Sequence, residues 1–116
     1  MKYYARNKGL SSAKADDIIG TPVLCGDTII STKPQIKFVI TYPLEKPVTF
    51  TRTRKKWTFQ NVVDEVRKIY QKNIYANAAQ ENKYGVWGHG ISDLSIEALD
   101  IKSKKKVPTI QPSIGS

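Results

Sequence analysis

The chain is poor in the residues that much enzyme chemistry relies on. Its 116 residues include one cysteine, Cys25, and one histidine, His89. A single cysteine excludes an internal disulfide and makes a reducing compartment the default expectation. Structural zinc takes four Cys or His ligands, and catalytic zinc three plus water. One of each falls short unless several carboxylates join them. For nucleophilic catalysis by cysteine, Cys25 with His89 as its base is the only candidate pair. Cys25, however, sits in the apolar triplet Val23-Leu24-Cys25, where an inert, buried thiol is the ordinary outcome. Phosphate-cradling motifs are missing too. Gly85, Gly88 and Gly90 read G-x-x-G-x-G, which is neither the dinucleotide order nor a P-loop, and offer at most a nest of backbone N–H groups for an anion. No apolar run approaches the roughly 18 residues of a membrane-spanning helix. The opening MKYYARNKGLSSAKADD lacks the apolar core of a secretory signal. The expectation is an intracellular protein of cytoplasm, nucleus or virion, not secreted by a classical signal and with no cofactor.

Acidic residues are the other scarcity. There are 10 Asp+Glu against 19 Lys+Arg, for a net charge of +9. Such an excess favours polyanionic partners: nucleic acid, an anionic membrane surface or an acidic protein. The excess is uneven. Arg52, Arg54, Lys55 and Lys56 form one cluster and Lys102, Lys104, Lys105 and Lys106 a second, whereas the stretch from Tyr84 to Ile101 contains Asp93, Glu97 and Asp100 and no Lys or Arg. Asp93 and Glu97 share a strand parity that Asp100 does not, so a solvated strand face describes these three better than a magnesium site.

The length fits one domain. Residues 1–17 lack an apolar period and are expected as an N-terminal arm, with Tyr3 and Tyr4 among its cations. Residues 18–103 are expected to form a single small α+β domain, in which residues 18–35 add a hairpin turning at Gly26-Asp27. Residues 104–116 read as a basic C-terminal tail. Within the domain IKFVITY alternates, with Ile36, Phe38, Ile40 and Tyr42 facing one way and Lys37, Val39 and Thr41 the other, the mark of a half-buried strand. VTFTRTR supplies its hairpin partner; Val48 and Phe50 share a face that Arg52 is expected to leave. Thr58 can cap a helix. Phe59, Val62, Val63, Val66, Ile69, Tyr70 and Ile74 then recur at spacings of three and four, one apolar stripe that fades near Asn77. Asp64 and Lys68 make an i,i+4 pair, and residues 76–83 read as a polar loop. In the last strand Leu94 and Ile96 have one parity and Leu99 and Ile101 the other, which requires a bulge near Ala98 or cover on both faces.

The order is β-β-α-β, with one amphipathic helix on a small, mostly antiparallel sheet. QIKFVITY, a tight turn, VTFTRTR and TFQNVVDEVRKIY, residues 36–75 in the main, resemble the hairpin-plus-helix opening of the ubiquitin-like β-grasp. The resemblance implies a β-grasp-like fold that recognises partners through exposed strands. The chain ends in Ile114-Gly115-Ser116, without the Gly-Gly that conjugation needs.

The candidate site is therefore a binding surface: Arg52, Arg54, Lys55, Lys56, Lys102, Lys104, Lys105 and Lys106 for a polyanion or acidic partner. Trp57, Trp87, His89, Tyr3 and Tyr4 are candidate interface aromatics. Arg beside an exposed aromatic suits phosphate contact plus base stacking; Trp57 fits equally the residue before a helix cap that packs inward. The functional expectation is a non-enzymatic structural or adaptor subunit of a large assembly, virion-like or ribonucleoprotein-like, that meets protein neighbours through its sheet and arms. The alternative is a stand-alone nucleic-acid-binding domain using residues 52–57 and 102–106. A small-molecule ligand is not expected.

Overall fold

The computed structural model describes residues 29–102 and 106–115 in full and the backbone of residues 2–9. In chain order the elements are β1 (Lys2–Gly9), β2 (Ile29–Ser31), β3 (Gln35–Ile40), β4 (Val48–Thr53), β5 (Trp57–Thr58), α1 (Phe59–Ile69) with a π-helical turn (Tyr70–Ile74), α2 (Ala78–Tyr84), a 3-10 turn (Ile91–Asp93), β6 (Ser95–Lys102) and β7 (Thr109–Gly115). The main sheet has the order β1-β6-β7-β3-β4, and β2 pairs with β5 in a two-stranded sheet. The fold is α+β. β3 and β4 form the expected hairpin, with Phe38 opposite Phe50. After α1 the chain returns so that β7 runs parallel beside β3 and antiparallel to β6. The result is a small α+β core.

Alternation makes β3 what it is. Ile36, Phe38 and Ile40 are fully buried, while Lys37 is exposed and Val39 half-buried on the opposite face. The stripe Phe59, Val62, Val63, Val66, Ile69 of α1 covers the buried face, and Ile96, Leu99, Ile101 and Ile110 complete the core. Thr58 caps α1: its hydroxyl accepts from the Asn61 N–H at 3.1 Å, and the Asn61 side chain accepts from the Thr58 N–H at 3.1 Å, so two N–H groups that lack intrahelical partners are satisfied together.

Several expectations change. The segment expected as an N-terminal arm contains β1, which pairs antiparallel with β6: Tyr3 lies opposite Leu99 and Tyr4 opposite Ala98. The expected basic tail contains β7, which lies between β6 and β3. Val23-Leu24-Cys25 and the Gly26-Asp27 turn fall outside the described residues, and the described end of that segment pairs as β2 with β5. Residues 78–84 are a helix, not a loop; the Asn77 side chain caps it by accepting from the Gln80 N–H at 3.0 Å. Asp64 accepts from Gln60 at 2.8 Å and lies 3.7 Å from Arg67, whereas the i,i+4 spacing paired it with Lys68. The bulge near Ala98 is present: the register of β6 on β7 shifts between Ile96 and Ala98. Glu97 is the extra residue, and Ile96, Leu99 and Ile101 all turn to the core.

Among the described residues no helix is long and apolar enough to cross a membrane.

Candidate functional site

The two basic clusters stand 50 residues apart in the chain, yet strand register carries them to one end of the main sheet. Lys37 of β3 lies opposite Thr51 of β4 and beside Thr109 of β7, and Thr109 lies opposite Lys102 of β6. Thr51, Lys37, Thr109 and Lys102 therefore form one row across the sheet face that α1 does not cover. The Lys37 N–H donates to the Pro108 carbonyl at 2.9 Å, which ties the β6–β7 connection to this row. Lys106 and Val107 of that connection line an open groove with Lys37, Val39, Thr49 and Thr109. At the same end Gln35 pairs with Thr53, and the Arg54 N–H donates to the Pro34 carbonyl at 2.9 Å. The exposed side chains of Arg54, Lys55 and Lys56 follow directly. Lys104 and Lys105 lie outside the described residues.

The cations are not equivalent. Arg52 stays on the face of Phe50 instead of leaving it, and points toward α1. Its Nε lies 3.4 Å from Glu65 Oε2, its Nη2 3.2 Å from Asn73 Oδ1, and its guanidinium carbon 5.2 Å from the Phe50 ring centroid. Its charge is thus committed within the molecule. Trp57 is buried, with Nε1 donating to the Pro34 carbonyl at 2.9 Å and its ring edge-on to Phe38 at 5.6 Å. It is not a surface stacking platform; the Arg54 guanidinium covers its ring at 5.3 Å.

Trp87 and His89 lie at the far end of β3, while Tyr3 and Tyr4 belong to β1. Tyr42, Trp87 and His89 are in mutual ring contact, with centroids 5.5, 5.8 and 6.0 Å apart. Trp87 is 47% exposed. The glycine-rich stretch docks on the β3–β4 turn: the Trp87 N–H donates to the Pro43 carbonyl at 3.1 Å and the Glu45 N–H to the Gly85 carbonyl at 2.9 Å. Gly85 takes φ +69 as the cap that ends α2, and its own N–H donates to Asn82. Tyr75 donates to the His89 carbonyl at 3.0 Å and stacks on Tyr70. Burial, and then the charges of Glu81, Tyr42 and Asp93, push the Tyr75 phenol up to about 12. Burial pushes the Tyr70 phenol higher still, and its hydroxyl donates to the Tyr42 carbonyl at 2.6 Å.

Cys25 is outside the described residues, so the Cys25–His89 dyad finds no geometry here. Among the described residues no three His, Cys, Asp or Glu side chains are grouped to hold a metal ion; Asp93, Glu97 and Asp100 do not converge. No family model matches the chain, and no curated protein or solved structure matches it.

Lys37 is the member of the basic end that charge-run reasoning misses. It is a lone lysine, and its signal is its parity: it stands between Ile36 and Phe38, both buried, on the outward face of β3. Tyr42 and Tyr75 join the aromatic group through contacts that no local pattern encodes.

Proposed function

We propose that the chain is a non-enzymatic nucleic-acid-binding domain that holds a phosphate backbone against the basic end of its open sheet face. The observation that carries this reading is the register that sets Lys37 and Lys102 on either side of Thr109, with Lys106 over the same groove. Lysine ammonium groups supply point charges to phosphates, and the Thr51 and Thr109 hydroxyls can donate to phosphate oxygens. Arg54, Lys55 and Lys56 lengthen the track. Lysine and threonine side chains of this kind meet phosphate oxygens, so the contact is with the backbone and independent of base sequence. Asp100 shares the face of Lys102 and weakens the field locally.

The expected assembly subunit meets its protein neighbours through its sheet and two arms. Lys2–Gly9 and Thr109–Gly115 instead pair within this chain. A ribonucleoprotein role stays compatible with the basic end.

The test is anisotropy of a labelled single-stranded oligonucleotide titrated with the full chain at several salt concentrations. Affinity is expected to fall steeply with salt. In K37Q/K102Q/K106Q the slope of log K against log salt should flatten by about two, from about 0.7 per lost contact on single strands. A salt-independent affinity, or a triple variant that binds like the parent, overturns the proposal.

A further inference from the structure

The end of the sheet opposite the lysines has the reverse character. Tyr42, Trp87 and His89 form a closed triangle of rings. Trp57 is 1% exposed, yet Trp87, in ring contact with two partners, leaves 47% of its surface open. The indole is held there, not loosely displayed. Its N–H side of the backbone is fixed to Pro43, and the carbonyl of His89 is fixed by Tyr75. Three acidic residues are tied by their backbones to the loop that carries it: the Glu45 N–H donates to the Gly85 carbonyl, the Glu81 carbonyl accepts from the Val86 N–H, and the Asp93 N–H donates to the Gly90 carbonyl. Glu81 and Asp93 are near enough to Tyr75 for their charges to act on its phenol. The Glu45 side chain leans over Gly85, two residues before Trp87. Lys46 and Lys83 adjoin the same loop: the backbone N–H of Lys46 donates to the Tyr84 carbonyl, and the Lys83 Nζ sits 5.5 Å from the Tyr84 ring centroid.

We propose that the Tyr42–Trp87–His89 cluster is a docking surface for an arginine-bearing segment of a partner protein, with a guanidinium stacked on the Trp87 ring and further positive charge met by Glu45, Glu81 and Asp93. The rings touch one another, so no cation enters between them; the ligand lies on the outer indole face. A planar, weakly hydrated guanidinium suits that face better than an ammonium does. The same carboxylates repel phosphate, which separates this surface from the nucleic-acid track at the other end.

The experiment follows the two indole N–H resonances of the full chain while Ac-Gly-Arg-Gly-Arg-Gly-amide is added. The Trp87 resonance is expected to move saturably and that of Trp57 to stay. Trp87→Leu should weaken binding of the peptide roughly two- to fivefold, read by calorimetry, with the Trp57 resonance unmoved as the sign that the fold is intact. E81Q/D93N should weaken it and flatten its salt dependence. The lysine version of the peptide should bind more weakly; equal binding removes the guanidinium assignment. Absence of a saturable Trp87 shift overturns the proposal, and so does a shift produced by oligothymidylate but not by the arginine peptide.

Discussion

Arg52 and Lys37 exchange the roles that charge alone suggests for them. Arg52 opens the run Arg52-Thr53-Arg54-Lys55-Lys56 and reads as surface charge, but its parity with Val48 and Phe50 turns it toward α1. There Glu65, 8% exposed, needs a partner. Glu65 and Asn73 lie 13 and 21 residues further along, so nothing local announces the pair. Lys37 is isolated in sequence and faces the groove. Arg52→Leu removes the guanidinium while keeping an apolar stem and leaves the Glu65 carboxylate buried without it. Stability should fall by about 1–3 kcal/mol, since a stranded buried charge costs more than a half-exposed pair contributes. Oligonucleotide affinity should stay unchanged. R52L/E65L should recover most of the loss. Urea unfolding followed by Trp57 fluorescence, beside anisotropy, decides this. If Arg52→Leu weakens oligonucleotide binding as Lys37→Gln does and leaves the midpoint alone, the inward assignment fails.

Periodicity reveals an element when one face is apolar, and hides it otherwise. β3, β4 and α1 were legible because each divides cleanly into a buried and an exposed side. α2 was not, because only Tyr84 of its seven residues is buried. Its caps were the available signal: Asn77 before it and Gly85 after it are the pair that starts and stops a helix. In β6 the parity conflict pointed to the bulge, and the register locates the extra residue at Glu97. Deleting Glu97 should therefore be mild. Ile96, Leu99 and Ile101 then alternate regularly against Ile114, Pro112 and Ile110, and the melting temperature should change by only a few degrees, about 1 kcal/mol for a domain of this size. Inserting one alanine after Leu99 sends Ile101 outward and Lys102 inward, and should cost several kcal/mol or prevent folding. Thermal unfolding of the two variants side by side gives the answer; a deletion as damaging as the insertion would show that Glu97 is not the surplus residue.

For the whole molecule, what mattered most was least visible. Residues 1–17 lack an apolar period and residues 104–116 are basic and proline-bearing, so both look like arms. β7 nevertheless forms the seam of the sheet, joining β6 to the β3–β4 hairpin. Pro112 is tolerated because the β7–β3 pairing covers only Thr109 and Ile110; the missing N–H falls where β7 has already parted from β3, as a proline within a sheet requires. The seam also creates the basic end, since Thr109 is the residue that brings Lys37 and Lys102 into one row. Removing residues 109–116 therefore does more than trim a tail. It uncovers Phe38 and Ile101 at once and leaves two strand edges with no partner between them. A chain ending at Pro108 is expected to lose cooperative urea unfolding and the distinct indole signal of Trp57. Removing residues 1–9 strips only the edge strand β1 from β6, and should lower the midpoint while the transition remains cooperative. A cooperative transition at an unchanged midpoint in the chain ending at Pro108 would return β7 to the status of an arm, and with it would go the row of Lys37, Thr109 and Lys102 as a single surface.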